Sequence, residues 1–111
     1  EWSDSGGDLA RRFEDDEILT WVSLYWLTNT IGPSFRPYSD DYARPSKPEP
    51  VIVPTALAVF PADLVQEPRE WVARRYALQR YTSMPRGGHF AAFEEPEVLA
   101  DDIMAFFATI E

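Results

Sequence analysis

Apolar residues fall in blocks along this chain, and the period of each block names an element. Between residues 17 and 28, Ile18, Leu19, Trp21, Val22, Leu24, Tyr25, Trp26 and Leu27 cover nearly the whole circumference of a helix. A helix apolar all round is one buried between other elements. Asp15 or Asp16 offers its N-cap, and the acids from Glu14 to Glu17 suit the positive end of a helix dipole. Between 51 and 60 the chain is β-branched and apolar without alternation, the pattern of a strand covered on both faces. Pro54 cannot donate a ladder hydrogen bond, so regular pairing is expected after it. Residues 67–76 read as a short helix with Pro68 in its first turn, and 78–83 as a second strand. A last helix spans 96–110. It carries Leu99, Ile103, Phe106, Phe107 and Ile110 on one face, with Glu97, Asp101 and Asp102 outward or near its start.

The alternation of strand and helix predicts parallel crossovers and an α/β class. Residues 1–12 are polar and read as a loop leading into a turn at 9–13. Residues 37–50 hold prolines at 37, 45, 48 and 50 and read as a polar connection between two parts, 1–45 and 46–111. Two strands make a poor sheet by themselves. Together with the all-round apolar helix, they imply that partner structure lies outside these residues.

The 111 residues suffice for one small domain. A net charge of −9 argues against a nucleic-acid surface, which needs a basic patch. With no cysteine and one histidine, the chain has neither a disulfide framework nor the usual zinc ligands. The longest apolar run, 18–27, is interrupted by Thr20 and Ser23, whereas a membrane span takes ~20 residues. Glu1-Trp2-Ser3-Asp4 lacks the basic start of a signal peptide, so a cytoplasmic location is expected; without an initiator methionine, residue 1 is not expected to be a natural start.

The single histidine lies in Pro85-Arg86-Gly87-Gly88-His89-Phe90. Histidine exchanges a proton near neutral pH, and two glycines before it permit a sharp turn. The position between a strand and the last helix puts His89 at the C-terminal end of a strand, where open α/β sheets hold their chemistry. Asp63 follows the other strand in the same way, through Pro61-Ala62. Neighbouring parallel strands bring both residues to one sheet edge, and a carboxylate beside an imidazole fixes its tautomer and stabilises its charged form. Plain structural alternatives stand beside this reading: Asp63 capping a turn, and His89 packing a loop. Glu67, Glu94 and Glu95 are rival acids, but the last two lie too near His89 in sequence and are expected to cap the last helix. No nucleophile is visible: there is no G-x-S-x-G and no cysteine, and Ser34 and Ser83 lack the sharp turn required.

The run Arg86-Gly87-Gly88-His89-Phe90-Ala91-Ala92-Phe93-Glu94-Glu95-Pro96-Glu97 resembles the end of the microsomal-type epoxide hydrolases of the α/β-hydrolase superfamily. Three other stretches agree in order. Trp2-Ser3-Asp4 through Leu9-Ala10-Arg11-Arg12-Phe13 resembles the segment entering the late cap helices. Leu24-Tyr25-Trp26-Leu27-Thr28-Asn29-Thr30-Ile31 resembles the family's Y-W-x-T-x-T-I helix. Pro54-Thr55 through Phe60-Pro61-Ala62-Asp63, then Pro68-Arg69-Glu70-Trp71, resembles the strand and loop that carry the triad acid.

The resemblance implies the C-terminal part of an α/β-hydrolase fold: late cap helices (1–45), then the last two parallel strands and helices of the core (46–111). It implies Asp63 as triad acid, where the family often has Glu, and His89 as base. Tyr38 becomes one of two cap tyrosines, with Pro37 bearing on its placement. The nucleophilic aspartate, the oxyanion-hole segment and the second tyrosine lie upstream in the family. The implied partner is therefore an N-terminal polypeptide of the same enzyme, and the implied substrate a small hydrophobic epoxide, hydrolysed without a cofactor in detoxification or secondary metabolism. No nucleic acid and no membrane span enter this reading, and homo-oligomerisation stays open. Alternative readings are an esterase with an upstream serine, a dehalogenase, and a non-catalytic α/β-hydrolase-like binding scaffold.

Overall fold

Strand β1 (Val51–Val59) pairs in parallel with β2 (Tyr76–Ser83). Regular register runs from Ala56 opposite Arg80 to Val59 opposite Ser83, with irregularities on either side of Pro54 and Thr55. Regular pairing thus begins where the missing N–H of Pro54 no longer interrupts the ladder. The computed structural model describes residues 2–43 and 49–110. They fall into two compact units, Glu1–Arg12 with Glu49–Glu111, and Phe13–Pro48.

In the sheet unit, the crossover between the strands is shorter than the sequence pattern predicts. Helix α4 is Arg69–Val72, begun after Pro68. Turn bonds from Arg74 N–H to Trp71 O and from Arg75 N–H to Val72 O then end it. β2 begins at once with Tyr76, a strand former, so tertiary pairing takes residues that a helical reading had claimed. Beyond β2 come α5 (Ala91–Glu94) and α6 (Pro96–Phe107). Pro96 separates them, because it disfavours helical angles at Glu95, whose φ is −144°. Phe60, Val72, Met84 and Phe106 form the buried apolar centre.

Asp102 departs from its expected outward position. Only 7% exposed, its Oδ1 accepts from Arg80 Nε (2.7 Å) and Nη2 (2.6 Å) and from the Thr82 hydroxyl (2.8 Å). The inward side of α6 therefore carries a charge neutralised from β2, while Ile103 and Phe107, expected on its apolar face, are exposed.

In the second unit, α1 (Asp15–Thr28) is capped by Glu14, not by Asp15 or Asp16, and the Glu14 N–H donates back to Glu17 Oε2 at 2.9 Å. Asn29 ends the helix in the left-handed region at φ 54°. Then come α2 (Ile31–Ser34) and α3 (Arg36–Ala43). The connection expected to start at Pro37 is helical there, since proline in a first turn needs no N–H partner. The boundary expected at residues 45–46 lies outside the described residues. Leu19, Val22, Leu24, Trp26 and Leu27 of α1 are all exposed.

Candidate active site

Both strands continue beyond the sheet as loops that pair once more, after the second has taken up two extra residues. The Met84 N–H donates to Val59 O at 2.8 Å and the Ala62 N–H to Gly87 O at 3.0 Å. Ala62 and Gly88 form one isolated parallel bridge. Immediately after it, Asp63 Oδ1 and His89 Nδ1 meet at 2.9 Å. The same Oδ1 accepts the Leu64 N–H at 2.7 Å. Turn capping and imidazole pairing, alternatives in the sequence, are thus both made by this carboxylate. The two side chains remain partly open, His89 at 42% and Asp63 at 34% exposure. Asp63 also lines an open cleft of about 290 Å3 with Leu57, Ala58, Val59, Val65 and Glu67.

The glycines before His89 are required by close approach. At φ +98°, a Cβ on Gly87 would stand 2.9 Å from the Phe60 ring and 2.9 Å from Glu95 Cγ. A Cβ on Gly88 would stand 2.9 Å from Trp2 O and 3.0 Å from both Asp4 N and Glu94 Oε1. The space belongs to residues 2–4. Trp2 O accepts the His89 N–H at 2.8 Å, and the indole packs edge-on to the imidazole with centroids 5.2 Å apart.

Charged groups hold this approach. Arg12 donates to Asp4 O (2.8 Å), Asp4 Oδ2 (2.9 Å) and Glu95 Oε1 (2.7 Å). Arg86 Nε donates to Glu95 Oε2 at 2.7 Å, and the Gly87 N–H to Asp4 Oδ2 at 3.0 Å. Glu94 takes the N–H of Asp4 on Oε2 (2.7 Å) and that of Phe90 on Oε1 (3.1 Å). The Arg86 hydrogen bond, then Arg12, holds the Glu95 carboxyl below its ordinary value against the opposing effect of desolvation. Glu94 and Glu95 were expected to cap the last helix. Neither side chain caps α6; both tie the His89 loop to the start of the chain. The residues that sequence reasoning missed here are Trp2, Asp4, Arg12 and Arg86. Their partners lie up to 90 residues away, beyond the reach of local spacing, and the one available signal was two adjacent acids with no nearby base but Arg86.

The structure brings Asp63 and His89 together. Tyr38 belongs to the other unit, in the first turns of α3, where its exposed ring lies 6.4 Å from that of Phe35. Among the described residues, no group of three or more acidic or histidine side chains is gathered to hold a metal ion, and no helix is long and apolar enough to cross a membrane.

Parallel strands ending in an acid and a histidine, with a helical crossover between them and a closing helix after them, define the C-terminal part of an α/β-hydrolase fold. Over the stretch it covers, the chain is similar to epoxide hydrolases, along a length equal to about a quarter of theirs. It is 45% identical over 111 residues to epoxide hydrolase 1 of Sus scrofa, covering 95% of this chain and 24% of that protein. An enantioselective mutant of the Aspergillus niger epoxide hydrolase superposes with a TM-score of 0.81 at 34% identity, over 99% of this chain and 28% of the other. The juvenile hormone epoxide hydrolase of the silkworm Bombyx mori gives 0.82 at 29% identity, over 92% and 26%. The chain therefore spans about a quarter of the length of its relatives. No family model matches it.

Proposed function

We propose that this chain is the C-terminal part of an enzyme that hydrolyses a small hydrophobic epoxide to a vicinal diol, with Asp63 and His89 as its acid–base pair. The single observation carrying the reading is their 2.9 Å contact at the ends of adjacent parallel strands. Residues 1–45 and 46–111 then belong to cap and core respectively, with residues 2–12 bonded to the core's histidine loop. An N-terminal polypeptide of the same enzyme supplies the nucleophile, an aspartate.

That aspartate attacks an epoxide carbon, the C–O bond breaks, and an ester forms. Tyr38, with a second tyrosine from the upstream part, gives a proton to the departing oxygen. A phenol hydroxyl placed at the departing oxygen acts as a general acid. His89, its Nδ1 held by Asp63, presents Nε2 to a water. The imidazole takes one proton while the hydroxide equivalent adds to the ester carbonyl, and Asp63 stabilises the imidazolium. Collapse passes the imidazolium proton to the departing alkoxide and releases the diol, and the proton of the new carboxylic acid returns to the tyrosinate, regenerating the aspartate, the imidazole and the phenol. The chemistry calls for no cofactor.

The test uses the complete enzyme that joins this chain to its upstream part. With His89→Gln, one equivalent of epoxide should remain bound as an ester, seen as a mass increase on the upstream aspartate. Tyr38→Phe should slow formation of that adduct. Turnover retained in His89→Gln would refute the reading, and an adduct formed only from carboxylic esters would turn it into an esterase.

A further inference from the structure

Glu94 has no part in the chemistry just described, yet it is 7% exposed and its carboxylate joins two pieces of backbone. Oε2 accepts the Asp4 N–H at 2.7 Å and Oε1 the Phe90 N–H at 3.1 Å. Between these bonds lies the one from the His89 N–H to Trp2 O, at 2.8 Å. Residues 2–4 and 89–90 thus run side by side without a complete ladder, and the carboxylate fills the missing rung. Both partners of Glu94 are backbone N–H groups, and ionised acceptors make the stronger hydrogen bonds. Gly88 leaves space for nothing else: a Cβ there would lie 3.0 Å from Glu94 Oε1.

We infer that Glu94 is a positioning residue for His89: by bridging Asp4 and Phe90 it fixes the backbone that aims the imidazole at the water-activation step. The inference rests on the reading of His89 as the base. It makes a demand that a purely structural role does not. His89 acts only after the ester has formed, so loosening its backbone should slow ester hydrolysis and spare ester formation. A structural role would lower the fraction of active molecules in both steps and leave the surviving rate constants unchanged.

The experiment is single-turnover kinetics on the complete enzyme carrying Glu94→Gln, with the ester followed by mass. The amide keeps one acceptor and turns an NH2 group towards a backbone N–H, so one bond is lost. Expected is ester formation within about twofold of the parent and ester hydrolysis slowed ~10- to 100-fold, the scale of a sub-ångström to ångström misplacement. Unchanged hydrolysis, or an equal fall in both steps, would overturn the inference. If Glu94→Gln does not fold, Asp4→Ala decides. It removes the more exposed acceptor for the Gly87 N–H at the other end of the same clamp. It should slow the same step by a smaller factor, and unchanged hydrolysis in the folded variant overturns the idea. His89→Gln, run in parallel, separates the two failures. If it accumulates ester and Glu94→Gln does not, only the positioning role falls; if it accumulates none, the reading of His89 falls first.

Discussion

Asp63 and His89 occupy the next rung after the bridge between Ala62 and Gly88, so their 2.9 Å contact carries on the register of that bridge, which is offset by two residues from the pairing of β1 with β2. Nothing local in either loop would bring residues 26 apart to this distance. Strand pairing does so, and the two glycines allow the second loop to follow the first.

Asp63→Asn tests what the pair contributes. An amide cannot stabilise the imidazolium and can hold the ring in the wrong tautomer, while its oxygen can still accept the Leu64 N–H. In the complete enzyme, turnover should fall ~10^3- to 10^4-fold, the scale of the same change in a histidine triad. The melting temperature should stay near that of the parent. A loss below about tenfold would remove Asp63 from the mechanism.

The glycines give a graded stability series. Gly88→Ala pushes a methyl group into the backbone at Trp2 and Asp4, and Gly87→Ala places a side chain at φ +98° against Phe60. In the complete enzyme each should cost about 1–3 kcal/mol in denaturant unfolding. Gly32→Ala is the control, for a Cβ there meets nothing within 4 Å and the site is helical. It should be neutral or stabilise by up to ~1 kcal/mol. Equal effects at all three positions would mean that close approach is not what the two loop glycines provide.

Local patterning read some of this molecule and was blind to the rest for physical reasons. The unalternating run before Phe60 marked a strand, and the strand–helix order marked its parallel partner, because an apolar strand and a crossover leave composition signatures; the cover expected on both faces of β1 is not supplied by these residues, for none of its side chains is buried. The shortened α4 left none, since Trp71 and Val72 suit a helix and only pairing with β1 claims the residues from Tyr76 onward. Asp102 looked like any surface acid, because its partners Arg80 and Thr82 sit on another element. In the site, Asp63 and His89 were legible from their positions after strands. The clamp of Asp4, Arg12, Arg86, Glu94 and Glu95 was not, because the bonds that join its two halves link residues 83 to 90 apart, and charges with such distant partners resemble solvated ones.

Arg80 and Asp102 make a separable prediction away from the site. Removing one partner leaves a buried carboxylate uncompensated, so Arg80→Met should destabilise by about 3 kcal/mol, the lower end of such losses because Arg80 is itself partly exposed. Adding Asp102→Leu should recover much of that loss, since the remaining charge is gone. A double mutant no better than Arg80→Met, measured by urea unfolding of the complete enzyme, would show that packing and not charge dominates there.

Acid should weaken the clamp at Glu95. Its carboxyl in the folded protein titrates below the ordinary value of 4.5, chiefly through Arg86. A lowered native value means stability that is fully present above the unfolded value and lost as pH falls through the native one. The difference in unfolding free energy between the parent and Glu95→Gln should therefore be constant from about pH 8 down to ~5 and shrink below ~4.5. A difference that grew on acidification would contradict the ion-pair account.

The last prediction concerns the chain by itself. Trp26 is 83% exposed, Leu27 80% and Ile52 86%, and Leu24, Val53 and Phe107 are exposed beside them. At ~25 cal/mol per Å2, leaving several large side chains in water forfeits many kcal/mol, against a net stability of about 5–15 for a whole domain. Expressed alone, residues 1–111 should therefore self-associate or melt without cooperativity, bind a hydrophobic dye, and turn over no epoxide. Supplying the upstream polypeptide in trans or in cis should cover these faces, restore one cooperative transition, and bring the nucleophile to His89. Sedimentation and calorimetry decide it. A cooperatively folding monomer of 12.7 kDa would show that the exposed faces need no cover. Epoxide turnover by that monomer would place the nucleophile inside this chain and overturn the proposed division of labour.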